Sequence, residues 1–355
     1  MKRHGNLWPE LVSFPNLLEA ARRAAAGKHS RPDIARFLMN LETGLFALQR
    51  ELTAGSYQPG GYRTFRVEDP KPRMISAAPF RDRVAHHALT QILEPIFERR
   101  FTAESFACRK GLGTHRALER ARRGAKKHRF VLKCDVRKYF PSIDHAILRG
   151  LLENVIKCRR TLDLAERIIT GSNPQEPALF YFPGDDLFTP EERRRGLPLG
   201  NQTSQFFANV YLNPLDHFVS RRLKPAVYVR YVDDFLLFGD SKAELNRMRD
   251  EVEDFLCRFR LKLHPRKSRV YRTTEGTTFL GWRVFPNHSL LVRGNVVRFR
   301  RRMRQLQVEH ARGEIDLRGV EQRVRAWIAH AAHGNTWRLR TQLFGQFAFR
   351  RGCVV

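Results

Sequence analysis

Apolar residues recur at helical spacing through the first 55 residues, and one such series runs Ile34, Phe37, Leu38, Leu41, Leu45 and Leu48. This period predicts helices. Residues 56–80 carry short extended segments instead, interrupted by Gly60-Gly61 and by prolines, which indicates strands and turns. Helical spacing returns over residues 81–98, where Pro95 can kink the helix.

Strand-like and helix-like patterns alternate between residues 130 and 285. The apolar run 130–136 predicts a buried strand that ends in an acid, Asp135, and a helix should follow from about Asp144. Two apolar segments flank Tyr231-Val232-Asp233-Asp234, which predicts a hairpin with two acids at its tip. The other expected elements are helices over 204–219 and 242–260, strands over 226–230, 235–238 and 261–263, a hairpin centred on Gly281, and basic helices over 295–350. Together these elements predict an α+β fold.

Composition narrows the class of partner. The chain has 355 residues, 42% of them hydrophobic, which is enough for a substantial core. Its 65 Lys and Arg stand against 36 Asp and Glu, and the formal charge of +29 favours a polyanion. No apolar run approaches the ~18 residues of a membrane span, so nucleic acid is favoured over a membrane. The basic start lacks the apolar stretch of a secretory signal, so we expect a cytoplasmic protein without a membrane partner.

The cysteines are odd in number, widely spaced and without a Cys-x-x-Cys pair. This pattern predicts reduced, buried thiols rather than disulfides or a zinc site. The five are Cys108, Cys134, Cys158, Cys257 and Cys353.

Asp135, Asp233 and Asp234 are the candidate ligands for divalent cations. An Asp-Asp pair in a turn is usually solvated, so Asp233-Asp234 alone would be a weak signal. The surrounding apolar strands change that interpretation, because burying acids at strand tips is costly unless a cation offsets them. Nucleotidyl transfer needs carboxylates from separate strands to hold two divalent cations, and Asp135 is the natural third ligand.

At these residues the sequence resembles the reverse transcriptases. Residues 231–234 match the metal-binding tetrad of that family, and residues 135–140 match its first-aspartate motif. Residues 196–212 resemble the motif that positions template and nucleotide. Lys71-Pro72-Arg73 with Arg81-Asp82-Arg83 resembles the fingers, residues 261–268 resemble the lysine-bearing motif, and residues 279–282 resemble the primer grip. The matches occur in family order over roughly residues 56–285.

The resemblance implies a right-hand polymerase fold with fingers, a ferredoxin-like palm and a helical thumb. A helical lead-in would cover residues 1–55, the fingers 56–128, the palm 129–285 and the basic thumb 286–355. The palm would contain the primer grip near 279–282 and an insertion at 171–195, a surface loop whose acids we expect to be solvated. About seventy residues follow the primer grip, enough for a thumb but not for a ribonuclease H or integrase module.

The resemblance also implies metal and catalytic roles. Two Mg²⁺ ions, for which Mn²⁺ can substitute, would be bound by Asp135, Val136, Asp233 and Asp234. Lys267 would protonate the leaving pyrophosphate as general acid, or would only contact phosphate. Phe140 would exclude ribonucleotides, or would be a plain core aromatic.

The implied binding residues fall into two groups. Lys71 and Arg73 would meet the incoming triphosphate, unless they are solvated charges on a fingers hairpin. The other residues expected to bind dNTP and template-primer are Val136, Leu199, Gly200, Ser204, Gln205, Tyr231 and Gly281. The residues expected to contact nucleic acid are Arg81, Arg83, Arg109, Lys110, His115, Arg298 and Arg301. His330 and His333 are expected in thumb packing or backbone contacts.

One departure indicates a subtype. Many relatives carry Gln where this chain has Leu199, and Ser-Pro where it has Ser204-Gln205. The form found here resembles the enzymes of diversity-generating retroelements, which copy RNA into DNA with errors opposite adenine. That resemblance implies template RNA, a DNA or RNA primer, dNTPs and a small basic accessory protein of helical-bundle type. The alternatives are a defence or retron reverse transcriptase, and an RNA-binding scaffold without activity, against which the intact acids argue.

Overall fold

Helices and short strands alternate in the computed structural model of the protein, which describes residues 3–68, 72–172 and 178–352. The α+β class expected from the sequence is confirmed. The first elements are α1 (Trp8–Leu11), α2 (Phe14–Ala25), α3 (Pro32–Met39), α4 (Leu41–Ala54), β1 (Arg63–Val67), β2 (Arg73–Ala77), α5 (Phe80–Glu98) and α6 (Thr114–Lys127). Next come β3 (Phe130–Asp135), α7 (Tyr139–Ser142), α8 (His145–Glu153), α9 (Arg159–Thr170), α10 (Thr189–Glu192) and α11 (Gln202–Phe218), which continues into a π-helical turn, Val219–Leu223.

The C-terminal half begins with the acidic hairpin. Its elements are β4 (Val227–Tyr231), β5 (Asp234–Gly239), α12 (Lys242–Cys257), β6 (Arg269–Arg272), β7 (Thr277–Phe279), β8 (Trp282–Val284), β9 (Ser289–Leu291), α13 (Arg293–Ala311), α14 (Leu317–Ala331) and α15 (Trp337–Phe344). The chain forms two compact units, each drawn from separate stretches. The first unit contains residues 1–110, 135–224 and 250–265, and the second contains 111–134, 225–249 and 266–355.

Helix α5 is the centre of the first unit. Its apolar side packs against α2 and α11, and the rings of Phe97 and Phe206 meet edge to face with centroids 5.5 Å apart. The buried Asp82 accepts hydrogen bonds from the Tyr57 hydroxyl at 3.0 Å and from the Gly60 amide at 2.7 Å. This carboxylate therefore fixes the chain that leads into the β1–β2 hairpin.

Sheets make up the middle of the second unit. One has the strand order β4-β5-β3-β6, and the other has the order β7-β8-β9. Helix α6 packs on β4 and β5, and a Cβ at Gly124 would lie only 2.6 Å from the ring of Phe238. The C-terminal helices close around Phe299, Met303, Leu306 and Leu343, with Trp327 stacked on Phe299 at 3.8 Å.

Two expectations for the region after the hairpin are wrong. Helix α12 ends at Cys257 rather than residue 260, and Arg260 has a φ of 52°, which turns the chain. The predicted strand Leu261-Lys262-Leu263 is a single bridge between Leu263 and Val136. The strand that joins the sheet is β6, whose two arginines and two half-buried residues gave no apolar pattern.

The expectation of buried thiols holds only in part. Cys134 is buried, Cys158 and Cys257 are half-buried, and Cys108 is exposed. No disulfide joins any of these four thiols, as expected, and Cys353 lies outside the described residues. None of the helices within the described ranges is long and apolar enough to cross a membrane.

The insertion differs from the expected solvated loop. Asp185 forms an ion pair with Arg193, and only 8% and 6% of their side chains are exposed. Asp186 accepts hydrogen bonds from the amides of Phe188 at 3.0 Å and Thr189 at 2.7 Å, which starts the turn into α10. The prediction of solvated acids is therefore wrong for Asp185, because the Arg193 guanidinium offsets the cost of burying its charge.

Candidate active site

The acidic hairpin is a tight turn held from below by a buried cation. Tyr231 pairs with Asp234 across β4 and β5, so only Val232 and Asp233 form the connection. Val232 has a φ of 57°, a left-handed conformation that is unfavourable for a β-branched residue. The fully buried Arg230 donates to the Val232 carbonyl at 2.9 Å. The guanidinium thus stabilises the turn that presents the two acids.

Side-chain contacts show the direction of β3 next to this hairpin. Near the end of β3, Lys133 Nζ lies 3.7 Å from Asp234 Oδ1 and donates to the Thr278 carbonyl at 2.9 Å. Before its start, His128 Nδ1 lies 2.9 Å from Asp240 Oδ2, beyond the other end of β5. Strand β3 therefore runs antiparallel to β5, and its residue Lys133 lies beside the first residue of β5.

Asp135 is the last residue of β3, and its backbone is bonded within the first unit. Its carbonyl accepts a hydrogen bond from the His264 amide at 2.7 Å, and the Arg137 amide donates to the Lys262 carbonyl at 2.8 Å. Between them, Val136 is buried and forms the bridge to Leu263. The first-aspartate segment is therefore held by residues 262–264, which the sequence placed in the lysine-bearing motif.

The first unit also joins three segments that the resemblance assigned to the nucleotide. The carbonyl of half-buried Phe140 accepts a hydrogen bond from the Leu197 amide at 2.9 Å. The Leu199 carbonyl accepts one from the Ser76 amide of β2 at 3.0 Å. At Gly200, where φ is 111°, a Cβ would lie 2.8 Å from Ile75 Cγ2. The chain from 197 to 200 therefore links Phe140 to the hairpin that carries Arg73.

Asn201 secures this contact. Its side chain is 3% exposed, and its amide group bridges two backbone groups of the β2 region. Asn201 Nδ2 donates to the Ser76 carbonyl at 3.0 Å, and its Oδ1 accepts from the Ala78 amide at 3.4 Å. The side chain thus continues the backbone pairing that Leu199 begins.

Gly200→Ala is expected to destabilise the first unit by about 2–4 kcal/mol, combining left-handed strain with overpacking. The control is Gly184→Ala, because Gly184 has a φ of 89° but has no atom within 4 Å of the place that a Cβ would take. Denaturant unfolding of both variants separates strain from the clash with Ile75. Equal losses of unfolding free energy would show that the close approach to β2 has no energetic role.

The basic residues expected at the fingers are largely engaged within the first unit. Arg81 pairs with Glu51 and lies over the Tyr57 ring at 5.0 Å, and Arg83 bonds Asp33 at 2.8 Å. Arg73 is exposed at the start of β2, whereas Lys71 lies outside the described residues.

Arg109 and Lys110, expected to contact nucleic acid, differ in exposure. The Arg109 side chain is only 8% exposed, pairs with Glu98 at 2.7 Å and donates to the Ser105 carbonyl at 2.7 Å. Lys110 is exposed. In α11, Ser204 is buried, while the exposed Gln205 lies 3.5 Å from the Cys108 sulfur through its Oε1. Lys110 and Gln205 therefore face solvent, while Arg109 has its donors occupied.

In the second unit, α6 supports the hairpin and the C-terminal helices. The Thr114 hydroxyl bonds the Tyr231 hydroxyl at 3.1 Å. His115, expected to contact nucleic acid, lies in α6 and stacks on His333 with ring centroids 3.6 Å apart, while His330 lies 5.4 Å from the Trp282 ring. Burial and the neighbouring His333 lower the pKa of both His115 and His330. Both C-terminal histidines therefore pack against aromatic rings, and their assignment to a thumb stays a prediction.

The remaining expected residues lie in or near the β7–β8 turn and α13. Gly281 has a φ of 83°, and its carbonyl accepts from Asn295 Nδ2 at 3.1 Å. Arg298 in turn donates to Asn295 Oδ1. Arg301 is exposed on α13, and Lys267 is exposed just before β6. The glycine turn and the first basic turn of α13 are therefore joined through Asn295.

Comparison with known proteins decides the family. The sequence model described as Reverse transcriptase (RNA-dependent DNA polymerase) matches residues 67–284, more than half of the chain. The chain belongs to the reverse transcriptase family. It is thus a member of the RNA-directed DNA polymerase class of enzymes.

Curated relatives of this reverse transcriptase include a bacterial protein and intron proteins. Protein YkfC of Escherichia coli K12 is 26% identical over 328 residues, which cover 79% of this chain and 83% of YkfC. The putative COX1/OXI3 intron 1 protein of Saccharomyces cerevisiae is 21% identical, over 73% of this chain and 37% of its own length. Group II intron-encoded protein LtrA of Lactococcus lactis is 27% identical, over 48% of this chain and 27% of LtrA. The match therefore spans about a third of these two intron proteins.

Reverse transcriptases generally use divalent metal ions, and the chemistry of the hairpin fits Mg²⁺. Carboxylates supply the hard oxygen ligands that Mg²⁺ prefers. The Lys133 ammonium lies 3.7 Å from Asp234, so one positive charge of the protein itself already faces this carboxylate. No group of three or more His, Cys, Asp or Glu side chains is arranged as a metal site within residues 3–68, 72–172 and 178–352. Ligation by Asp135, Val136, Asp233 and Asp234 therefore stays a prediction.

Sequence reasoning missed three supporting residues of this reverse transcriptase. Arg230 is a charge inside an apolar strand, and a buried charge must have partners, so that position was a usable signal. Asn201 follows a glycine before a helix, which is a common capping position and gave no hint of its contact with β2. Lys133 resembled an ordinary solvated strand residue.

Proposed function

We propose that this protein is an RNA-directed DNA polymerase that extends a DNA or RNA primer on an RNA template with dNTPs. The observation that carries the proposal is the Asp233-Asp234 turn, which lies beside the end of β3 in a chain of the reverse transcriptase family. On the family resemblance of their motifs, Asp135, Asp233 and Asp234 are proposed to share two Mg²⁺ ions with Val136. Mn²⁺ would substitute because it accepts the same oxygen ligands.

Bound Mg²⁺ would supply the positive charge that activates the primer hydroxyl and neutralises the triphosphate. The chain's own residues bind and orient the substrates around it. Arg73, with Lys71, contacts the triphosphate, and Phe140 lies against the sugar. Lys267, which is exposed, is proposed to give a proton to the leaving group or to bind its phosphates.

The fold parts follow from this proposal. The β1–β2 hairpin with α5 would act as fingers, the four-stranded sheet with α11 as the palm, and α13–α15 as the thumb, preceded by a primer grip at Gly281. Arg298 and Arg301 on α13 are proposed to hold the template-primer backbone, where each phosphate contact adds to a salt-dependent affinity.

The subtype proposal rests on Leu199 and on Ser204-Gln205. An aliphatic side chain at 199 cannot hydrogen-bond a nucleotide sugar or a template base, so correct pairing is less strictly selected. We therefore propose error-prone cDNA synthesis in a diversity-generating retroelement, with a structured template RNA and a small basic accessory protein as partners.

A second candidate is intron-linked reverse transcription, favoured by the names of the relatives. The yeast and Lactococcus proteins are intron-encoded, and nuclear intron maturase 1 of Arabidopsis thaliana is 34% identical over 94 residues. A defence or retron enzyme and an RNA-binding scaffold are further candidates. Primer-extension activity and the pattern of errors in the cDNA distinguish these candidates from an enzyme of a diversity-generating retroelement.

The test is primer extension by the purified protein on a primed RNA template with Mg²⁺ and dNTPs, followed by sequencing of the cDNA. We expect extension on RNA, with errors concentrated opposite adenine. Sparse, even errors would favour intron, defence or retron function. Tight RNA binding without extension, even with candidate accessory protein and cognate RNA present, would leave the scaffold.

Leu199→Gln is expected to lower misincorporation opposite adenine by roughly two- to tenfold, the effect of one net hydrogen bond. Leu199→Met is the matched control, since it keeps the volume without adding an amide. Errors are counted in cDNA made by the three proteins under one set of conditions. An equal change in both variants would mean that side-chain shape, and not hydrogen bonding, controls fidelity here.

A further inference from the structure

The insertion has an extended segment with two different faces. From 178 to 182 the burial alternates: Ala178 and Phe180 are buried and Phe182 is half-buried, while Leu179 and Tyr181 are about half exposed. Such alternation is what one packed face of an extended chain produces. The segment therefore lies on a specific surface of the first unit.

That surface carries basic side chains, and they contact the aromatic rings of the segment. Arg137 lies over the Phe180 ring at 5.0 Å, and Lys262 Nζ lies 5.9 Å from the same ring. Lys262 Nζ also lies 5.2 Å from the Phe182 ring, and Arg193 lies over that ring at 5.7 Å. We call these five side chains the insertion stack. Each contact is within cation–π range, so each ring contacts two cations.

Arg137 and Lys262 lie in the two segments whose backbone hydrogen bonds hold Asp135. The Arg137 amide donates to the Lys262 carbonyl at 2.8 Å, and the His264 amide donates to the Asp135 carbonyl at 2.7 Å. These two hydrogen bonds lie on either side of the Val136–Leu263 bridge. Phe180 contacts both Arg137 and Lys262, so its ring touches both of the paired segments, 135–137 and 262–264. A displacement of the ring would loosen both sides of this short ladder.

The other end of the insertion stack is anchored by buried charges. Arg193 is 6% exposed, pairs with Asp185 and lies 3.7 Å from the buried Asp144. Asp144 also bonds Arg260 at 2.5 Å and caps α8 by accepting from the Ile147 amide at 3.0 Å. The insertion is therefore tied at one end to α8 and at the other to the Asp135 segment.

We propose that Phe180 and Phe182 are positioning residues for Asp135. They hold the paired segments 135–137 and 262–264 through Arg137 and Lys262, and so fix the backbone from which the Asp135 carboxylate meets metal. The metal part of this inference rests on the proposed polymerase function, whereas the backbone part does not.

The test compares Phe180→Leu/Phe182→Leu with Phe188→Leu, a matched change at a 64% exposed ring of the same insertion. The first readout is hydrogen exchange in peptides that cover residues 134–139 and 261–266. We expect exchange roughly tenfold faster in the double variant, the size expected for losing several cation–π contacts. The Phe188→Leu protein should exchange like the parent.

The second readout is the Mg²⁺ concentration that gives half-maximal primer extension. It should rise roughly three- to tenfold in the double variant, with the KM for dNTP little changed, because a misplaced ligand weakens metal binding first. Phe180→Tyr/Phe182→Tyr, which restores the rings, should return both readouts towards the parent values.

Unchanged exchange and unchanged Mg²⁺ dependence in the double variant would overturn the proposal, as would equal effects in Phe188→Leu. If the parent protein does not extend primers, the polymerase function fails, but hydrogen exchange still decides whether the rings hold the Asp135 segment. Should the double variant not fold, Phe182→Leu alone is compared with Phe188→Leu in the same assays.

Discussion

Asp234→Asn is expected to lower the rate of primer extension by roughly a thousandfold or more while leaving the protein folded. Removing the charge of one metal-facing carboxylate costs several kcal/mol of transition-state stabilisation, and each 1.36 kcal/mol is tenfold in rate. The fold should survive because Asp234 begins β5 at a turn held by the buried Arg230. Single-turnover extension on a primed RNA template, with thermal unfolding alongside, measures both effects.

Asp240→Asn is the matched control for this prediction. Asp240 directly follows β5, at the opposite end of the strand, and its hydrogen bond with His128 lowers its pKa. Its loss should cost about 1 kcal/mol or less of stability, as expected for an exposed pair, and leave the extension rate intact. A similar rate loss in both variants would mean that charge on β5, and not metal ligation at its start, governs activity.

The parts of the site that sequence predicted are those encoded by neighbouring residues. The hairpin at 231–234 follows from two apolar strands around a two-residue connection, and α5 and α11 follow from their apolar period. These features need only local information, because no distant partner decides whether they form.

Several of the features that sequence missed depend on partners outside their own strand or helix. The β6 strand was missed because 261–263 is more apolar, yet it is β6, and not 261–263, that forms a ladder with β3. Asp185 was predicted to be solvated because a charged residue in a loop is usually exposed. The sequence did not show that Asp185 pairs with Arg193 across the insertion. The same reason applies to Asn201, whose amide bonds a strand more than a hundred residues away.

The excess positive charge illustrates the same limit. Composition assigned the arginines to nucleic acid as a group, but Arg81, Arg83 and Arg109 already pair with acids of the first unit. An arginine in a paired, half-buried position stabilises its own unit and has fewer donors left for phosphate. Exposed positions such as Arg73 and Arg301 are therefore the better candidates for contacts with template, primer or nucleotide.

Phe140→Ala is expected to increase the use of ribonucleotides relative to deoxyribonucleotides by roughly 10- to 200-fold, the range that one apolar pocket contact can discriminate. The ring is well placed for this role because it is only half-buried and its backbone is fixed by the Leu197 amide at 2.9 Å. It also packs edge to face on buried Tyr139, with centroids 5.6 Å apart. The ratio of kcat/KM for rCTP and dCTP on one RNA template measures the effect.

Tyr139→Phe distinguishes exclusion of the 2′ hydroxyl from simple packing. It removes the hydroxyl that donates to the Ala208 carbonyl at 2.5 Å but keeps the aromatic surface under Phe140. It should therefore cost about 1 kcal/mol of stability and leave sugar discrimination unchanged. If Phe140→Ala lowers the use of both nucleotides equally and destabilises the protein like a core deletion, by about 3–5 kcal/mol, then Phe140 is a core aromatic. A selective gain with rCTP in a stable protein places the ring at the sugar, as the tie between Phe140 and the Leu199-Gly200 segment leads us to expect.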